Sequence, residues 1–402
     1  MYHNIIFLSK SVTHYNRVFS LIFRFSLLLL LASFFANCNY KDEELAVSFK
    51  LEQAGKIEFL LDNETSPSSP CIKIKNGNLY FLNRHTNSLY VYSYDSRKLQ
   101  EKVSFDIEGP NSIGNLTGFD VLSNDSIMAF SHGTGIVGLF IRTDKAQKYD
   151  LARKFVFGIH AKFSADTLFP APVVSTSSPI MFDGTNTYIS GFLMDELKTP
   201  IKRPTLITIN NDMNGIKYFG QYPSIYNKNN WTGFRDIFTC VGLDKNEIIA
   251  SYPASDNLVL YDKSDGNYVE QKAKSSLFKT AIEPVDIPEG VWDSNKAYKH
   301  FMTTPSYFGV TFDSYNNVYY RFAGSPMTID DFQNADKGLK RMGKNLSIII
   351  LNSKFEQVGE TQIGNRYSES DFFVNEKGLH LKDRETNEDS FRFIVFKLKV
   401  AK

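Results

Sequence analysis

Two stretches of the chain set chemically capable residues at familiar spacings. Gly133, Gly135 and Gly138 fit the G-x-G-x-x-G pattern of dinucleotide sites, which works when it opens a helix whose N-terminus holds a pyrophosphate. Here the residues that follow, 136–142 (IVGLFIR), are rich in β-branched and aromatic types. They read as a strand, and the first two glycines read as turn residues. Asn210, Asp212, Asn214 and Gly215 match the opening of an EF-hand loop. That loop needs a bidentate acid at its twelfth position, where this chain has Gln221. The segment reads as a tight turn, as does 262–266. His85, His132, His160, His300 and His380 show no metal-ligand spacing with one another or with cysteine. No G-x-S-x-G elbow marks a nucleophile, and carboxylates on turns do not name a glycosidase pair. No catalytic residue, metal or cofactor is expected.

Cysteine chemistry is more specific. Residues 1–37 carry Lys10, Arg17 and Arg24, no acidic residue, and the apolar run 25–36 (FSLLLLLASFFA). That run suits the hydrophobic region of a secretory signal and is short for a spanning helix. It ends directly before Cys38, so the leader resembles a bacterial lipoprotein signal in which that cysteine is lipidated. Asn37 departs from the small residue usual at that point. Lys41, Asp42, Glu43 and Glu44 then look like the acidic tag that sends lipoproteins to the cell surface, or else like a solvated linker. The expected organisation is a signal peptide over 1–37, a lipidated tether over 38–45 and a single domain over 46–402. Acyl chains anchor such a tether to the outer membrane, with the domain exposed at the surface or facing the periplasm. The leader holds the chain's small positive excess. What remains is slightly acidic, so no nucleic acid is expected as a partner, and the membrane is expected only through the lipid.

The elements that must carry any site are strands. The chain holds 34 Phe and 21 Tyr against two Trp, and aromatic and β-branched residues suit pleated, half-buried surfaces. Short runs of these types alternate with Asn/Asp/Gly turns over the whole of 70–400, the signature of hairpins. Asn76-Gly77 between 72–74 and 78–83 is the strongest of these turns, because both positions tolerate positive φ. The four-strand meander of 70–106 recurs, with Leu79, Ile127, Tyr188, Ile248, Val318 and Leu379 at matching second-strand positions. Repeats of this length point to an all-β fold, a six-bladed β-propeller of four-stranded antiparallel blades. A seven-bladed ring and a pair of β-sandwiches are the alternatives. The last unit shows three strands, and a spare strand within 46–61 would complete it and close the ring. Cys71 and Cys240 then fall on opposite blades, too far apart for a disulfide, and two buried free thiols are expected.

Leader, acidic tag and blade pattern together resemble an uncharacterised family of Bacteroidota lipoproteins that carries a six-bladed propeller-like domain. The resemblance implies a surface-associated propeller of unknown function, and it supplies location more than chemistry.

In such a blade the turn between strands two and three and the link to the next blade share one face. The long segments 107–118, 157–178, 222–236, 274–306 and 324–345 all belong to that face, whereas the turns opposite are short. Long loops in a compact domain usually serve a function. Trp231 and Trp292 lie in them, and Arg84, His85, His132, Asp256, Arg321 and Arg384 are assigned to the turns beside them. These eight residues form the expected binding face, suited to a glycan, a peptide or an envelope protein. The same aromatics can instead pin the loops onto the blades. A non-catalytic binding lipoprotein is the leading expectation. A polysaccharide hydrolase or lyase at the channel mouth and a docking subunit of an envelope complex are the alternatives.

Overall fold

The computed structural model describes residues 48–143, 148–160, 170–192, 203–227, 230–287, 293–338, 343–385 and 388–401. The leader, Cys38, Lys41, Asp42, Glu43, Glu44 and Trp292 lie outside the described residues. Strand β1 (Phe49–Leu60) precedes six repeating units. Blade 1 is β2 (Ile72–Lys75), β3 (Asn78–Asn83), β4 (Ser88–Ser93) and β5 (Leu99–Ser104); blade 2 is β6 (Gly118–Ser123), β7 (Ser126–Ser131), β8 (Ile136–Thr143) and β9 (Lys148–Val156). Blade 3 contains β10 (Ala171–Val173), β11 (Met181–Phe182), β12 (Asn186–Phe192), β13 (Leu206–Asn210) and β14 (Ile216–Phe219). Blade 4 is β15 (Phe238–Val241), β16 (Glu247–Ser251), β17 (Asn257–Asp262) and β18 (Tyr268–Lys272). Blade 5 is β19 (Ser306–Asp313), β20 (Val318–Ser325), β21 (Asn345–Asn352) and β22 (Gln357–Gly364). In blade 6, β23 (Tyr367–Asn375), β24 (Gly378–Asp383) and β25 (Ser390–Val400) are joined by β1, in the order β1-β25-β24-β23. These sheets are a six-bladed propeller, and every pairing within them is antiparallel.

The turns behave as their residues dictate. Asn76 and Gly77 both take positive φ, 49° and 73°, as the β2–β3 hairpin requires. The Asn210 carboxamide accepts the N–H groups of Asn214 (3.0 Å) and Gly215 (3.0 Å) and closes the β13–β14 turn. Gly138 lies inside β8, so the glycine pattern opens a strand.

Between the blades the apolar faces interlock. One cluster joins blades 1 and 2 through Leu82, Leu89, Phe119 and Phe140; another joins blade 6 to blade 1 through Phe59, Phe81, Tyr92 and Phe391. Phe81 and Phe391 meet edge to face at 4.8 Å, a geometry that adds to simple burial. Ring closure falls on the β1–β25 pairing, from Phe49↔Val400 to Leu60↔Ser390. The Arg392 guanidinium donates to Glu58 (3.0 Å) across that pairing. The two ends of the described chain thus share one sheet, in which β1 supplies the outer strand of the last blade and covers the edge of β25.

Blade 3 departs from the pattern. Its innermost strand is split into β10 and β11, both paired to β12. The residues between them leave the sheet and cross the centre of the ring. Ile72 N–H of blade 1 donates to Thr176 Oγ1 (2.9 Å), and Thr239 N–H of blade 4 donates to the Ser177 carbonyl (3.0 Å). Blades 1 and 4 stand opposite each other, so this segment bridges the axis. Gly118 admits it: a Cβ there would lie 2.3 Å from the Val174 side chain.

Two of the long loops carry helices, Ser294–Thr303 and Ile329–Asp336. Asp293 and Thr328 cap them by accepting the N–H groups of Lys296 (2.9 Å) and Asp331 (3.0 Å), as N-cap side chains do.

Candidate functional site

The loop face spends many of its aromatic and charged residues on its own construction. Tyr222, Tyr226, Trp231 and Phe234 are buried with Tyr252 in one cluster. The Trp231 indole N–H donates to the Ile225 carbonyl (2.9 Å) and Tyr226 hydroxyl to the Phe234 carbonyl (2.9 Å). Phe301, on the helix Ser294–Thr303, packs on Phe234 at 5.1 Å, and Tyr298 meets Phe332 of the second helix at 6.0 Å. Lys344 is buried beneath them. Its ammonium donates to the Thr304 carbonyl (2.8 Å) and Ser306 hydroxyl (2.5 Å) and stands 4.1 Å from the Phe301 ring centre. Burial holds its pKa well below the usual lysine range.

Arg321 corrects the sequence expectation most sharply. β20 runs on to Ser325, so this residue lies inside a strand and not in a turn, and it is 0% exposed. Its guanidinium donates to Ser251 Oγ (3.1 Å) and to the carbonyls of Ser255 (2.7 Å), Asp256 (3.1 Å) and Ala273 (2.8 Å). It also stacks 3.7 Å from the centre of the Tyr307 ring. These bonds tie blade 5 to the β16–β17 turn of blade 4. Burial pulls its pKa down to about 10, so the group remains charged at neutral pH. Trp231, 2% exposed, is likewise an internal anchor.

The remaining residues divide. Asp256 accepts from the Tyr307 hydroxyl (2.7 Å) and pairs with Lys274 (3.0 Å). Arg384 pairs with Glu369. Arg84, His85 and His132 are exposed, on the β3–β4 and β7–β8 turns of neighbouring blades. At the loop-face end of the axis a hollow of about 220 Å³ is lined by Ser175, Ser177, Ser178, Ser190, Ser370 and Asp236. Asp236 lines this hollow with protein packed around it, and that burial raises its carboxyl above the ordinary range.

The short-turn face is different. There the axis opens into a cavity of about 610 Å³, walled by the inner strands of the blades. Ile74, Phe182, Val241, Phe312 and Val374, each from a different blade and each half-buried, surround it. Thr176, Pro179 and Ile180 of the crossing segment close its inner end. Within these apolar walls stands one ion pair, Lys73 with Asp120 at 2.8 Å. Lys73 is 32% exposed, toward the cavity. Burial alone would lower its pKa, but the Asp120 carboxylate holds it above the usual value. Apolar walls with a few convergent polar groups are the usual make-up of a small-molecule site. Sequence reasoning missed this site. A signal did exist: Lys73 and Asp120 are opposite charges on the innermost strands of adjacent blades.

A larger cleft of about 780 Å³ lies on the same side between blades 3 and 4. Two of its charged groups are committed: Lys263 donates to the Lys245 carbonyl (2.5 Å), and Asp183 accepts from the Tyr188 hydroxyl (2.8 Å). The axial cavity is therefore the better candidate.

A family model described as a domain of unknown function (DUF4221) matches residues 47–362. No curated protein matches the chain. A DUF4221 family member from Bacteroides vulgatus shares the fold with a TM-score of 0.71 at 19% identity, over 89% of this chain and 100% of that one. A Bacteroides fragilis protein provisionally described as exported aligns with a TM-score of 0.54 at 14% identity, over 88% of this chain and 96% of that one. At such identities the likeness speaks for the fold alone.

Proposed function

The chain belongs to the DUF4221 family, a domain of unknown function, and from that premise we propose an exported, lipid-anchored envelope protein whose propeller binds a ligand without transforming it. The anchor is Cys38, and Lys41, Asp42, Glu43 and Glu44 direct the chain to the cell surface. The export description carried by the Bacteroides fragilis relative supports an envelope location. The binding site is the axial cavity of the short-turn face, in place of the loop face that the sequence favours. One observation carries this: a largely apolar cavity of about 610 Å³ whose described lining holds the Lys73–Asp120 ion pair. The crossing of the axis by Thr176 and Ser177 supports binding over an enzyme that threads a polysaccharide through the ring.

Labelled palmitate incorporated by the wild type and lost in Cys38→Ser tests the anchor. Protease shaving of intact cells tests surface exposure, which alanine at 41–44 abolishes. For the binding reading, a screen of glycans, peptides and apolar metabolites by thermal shift gives a saturable ligand that Val241→Trp eliminates. A screen with no such ligand overturns it. A second reading, docking of an envelope protein on the loop face, is favoured by the exposure of Arg84, His85 and His132 on neighbouring blades. Cross-linking from those positions in cells tests it.

A further inference from the structure

The Lys73–Asp120 pair constrains what the axial cavity accepts. Asp120 Oδ1 takes both the Lys73 ammonium (2.8 Å) and the N–H of Val121 (3.0 Å). Oδ2 is left without a protein donor among the described residues. Lys73 likewise has one protein partner for an ammonium that carries three N–H groups. An acceptor-hungry cation and a donor-hungry anion therefore stand side by side in an apolar wall. A ligand anion placed against Lys73 meets the Asp120 carboxylate a few ångströms away, and a ligand cation placed against Asp120 meets Lys73. A neutral group that accepts and donates at adjacent atoms satisfies both, and leaving buried polar groups unsatisfied is what penalises the alternatives. Around that pair the walls are mainly apolar, with Ile74, Phe182, Val241 and Phe312 among them, and Lys245 and Thr239 add further polar groups to the lining.

We infer that the axial cavity takes a neutral apolar molecule bearing one amide-like group, whose acceptor meets the Lys73 ammonium and whose donor meets Asp120 Oδ2. The inference rests on the binding reading above and adds the chemical class of the ligand. A cavity of about 610 Å³ lies within the range that holds a drug-sized body. Selectivity comes from the dyad, because the apolar walls discriminate weakly among bodies of similar size.

Three probes that share one ring system test this on the full lipidated chain in nanodiscs, with Val241→Trp as the background for partition into lipid. They are dansylamide, the corresponding 5-(dimethylamino)naphthalene-1-sulfonate, and 1-(dimethylamino)naphthalene without a polar substituent. Dansylamide is expected to saturate one site, read by its fluorescence, at least tenfold tighter than either of the others. Lys73→Met combined with Asp120→Leu is expected to bring dansylamide down to the affinity of the unsubstituted parent. Should that pair fail to fold, Asp120→Asn suffices: it leaves Lys73 unneutralised, so the preference turns to the sulfonate. Three probes of equal affinity, or an Asp120→Asn protein that keeps the wild-type order, overturn the ligand class while the binding reading stands. No saturable signal above the Val241→Trp background with any probe overturns the cavity as a binding site, and the inference with it.

Discussion

The two faces of this ring solve opposite problems. On the loop face, long excursions must be held against the blades, and holding them uses up aromatic rings and charged heads: Trp231 and Tyr226 in one cluster, Arg321 across a blade seam, Lys344 beneath two rings. On the short-turn face there is little chain to hold. Hairpins such as Asn76-Gly77 close tightly, no described segment is long enough to cover the axis, and the space between the innermost strands stays open as a cavity. Length of loop is thus a poor guide to availability for a ligand. A long loop rich in aromatics has entropy to overcome, and burying its own rings is the most direct source of that stability.

The largest test of this contrast is Arg321→Met. If Arg321 is an internal staple, its loss leaves the carbonyls of Ser255 and Ala273 unpaired in a dry seam, with an expected cost of about 3–5 kcal/mol. Denaturant unfolding measures it, and probe binding in the axial cavity of the remaining folded protein is unchanged. A loss below 1 kcal/mol would mean that the loop face is not held from within, and the contrast fails.

Next in size is acid sensitivity on the short-turn side. His380 of blade 6 is 0% exposed, donates through Nδ1 to the Gly378 carbonyl (2.9 Å) and accepts at Nε2 from the Tyr94 hydroxyl of blade 1 (2.7 Å). Burial pushes its pKa down to about 4, from an ordinary 6.5. The folded ring stays neutral where the unfolded one takes a proton, so this contribution is complete above pH 6.5 and is lost as pH falls toward 4. About 3 kcal/mol disappears across that window. The measurement is a pH series of thermal melts, in which His380→Gln flattens this limb; an unchanged limb refutes the assignment.

Smaller still is the effect of the exposed trio. Alanine at Arg84, His85 and His132, singly, is expected to change stability by less than about 0.5 kcal/mol, which sets these residues apart from Arg321 and Trp231 on the same face. The smallest signal is chemical. Cys71 and Cys240 are both free and buried, and burial pushes both thiols up to about 12. Neither is expected to react with a thiol reagent until the protein unfolds.

Much of the ring was legible in advance because its signals are local. Alternation of apolar residues and turn chemistry are properties of a few neighbouring positions, so strands such as Asn78–Asn83 and Gly378–Asp383 emerge within a residue of their place. The site was less legible. Arg321 reads as a polar residue near a turn, and only the extension of β20 past it shows a strand residue whose side chain reaches blade 4. Trp231 in a loop invites a ligand reading until Tyr226, Phe234 and Tyr252 enclose it. The excursion between β10 and β11 passes for an ordinary loop, since nothing in Ser175-Thr176-Ser177-Ser178 announces that its partners lie on blades 1 and 4.

The sequence by itself determined the strand-and-turn rhythm, the number of blades and the short turns of one face, because each is written in residues close together along the chain. Tertiary structure alone decided which polar groups are spent and which are free. That decision depends on groups far apart in sequence: Lys73 with Asp120 of the next blade, and Arg321 with carbonyls 48 to 66 positions away. Such pairings exist only once the ring is closed, and they move the candidate site from the face with the loops to the face without them.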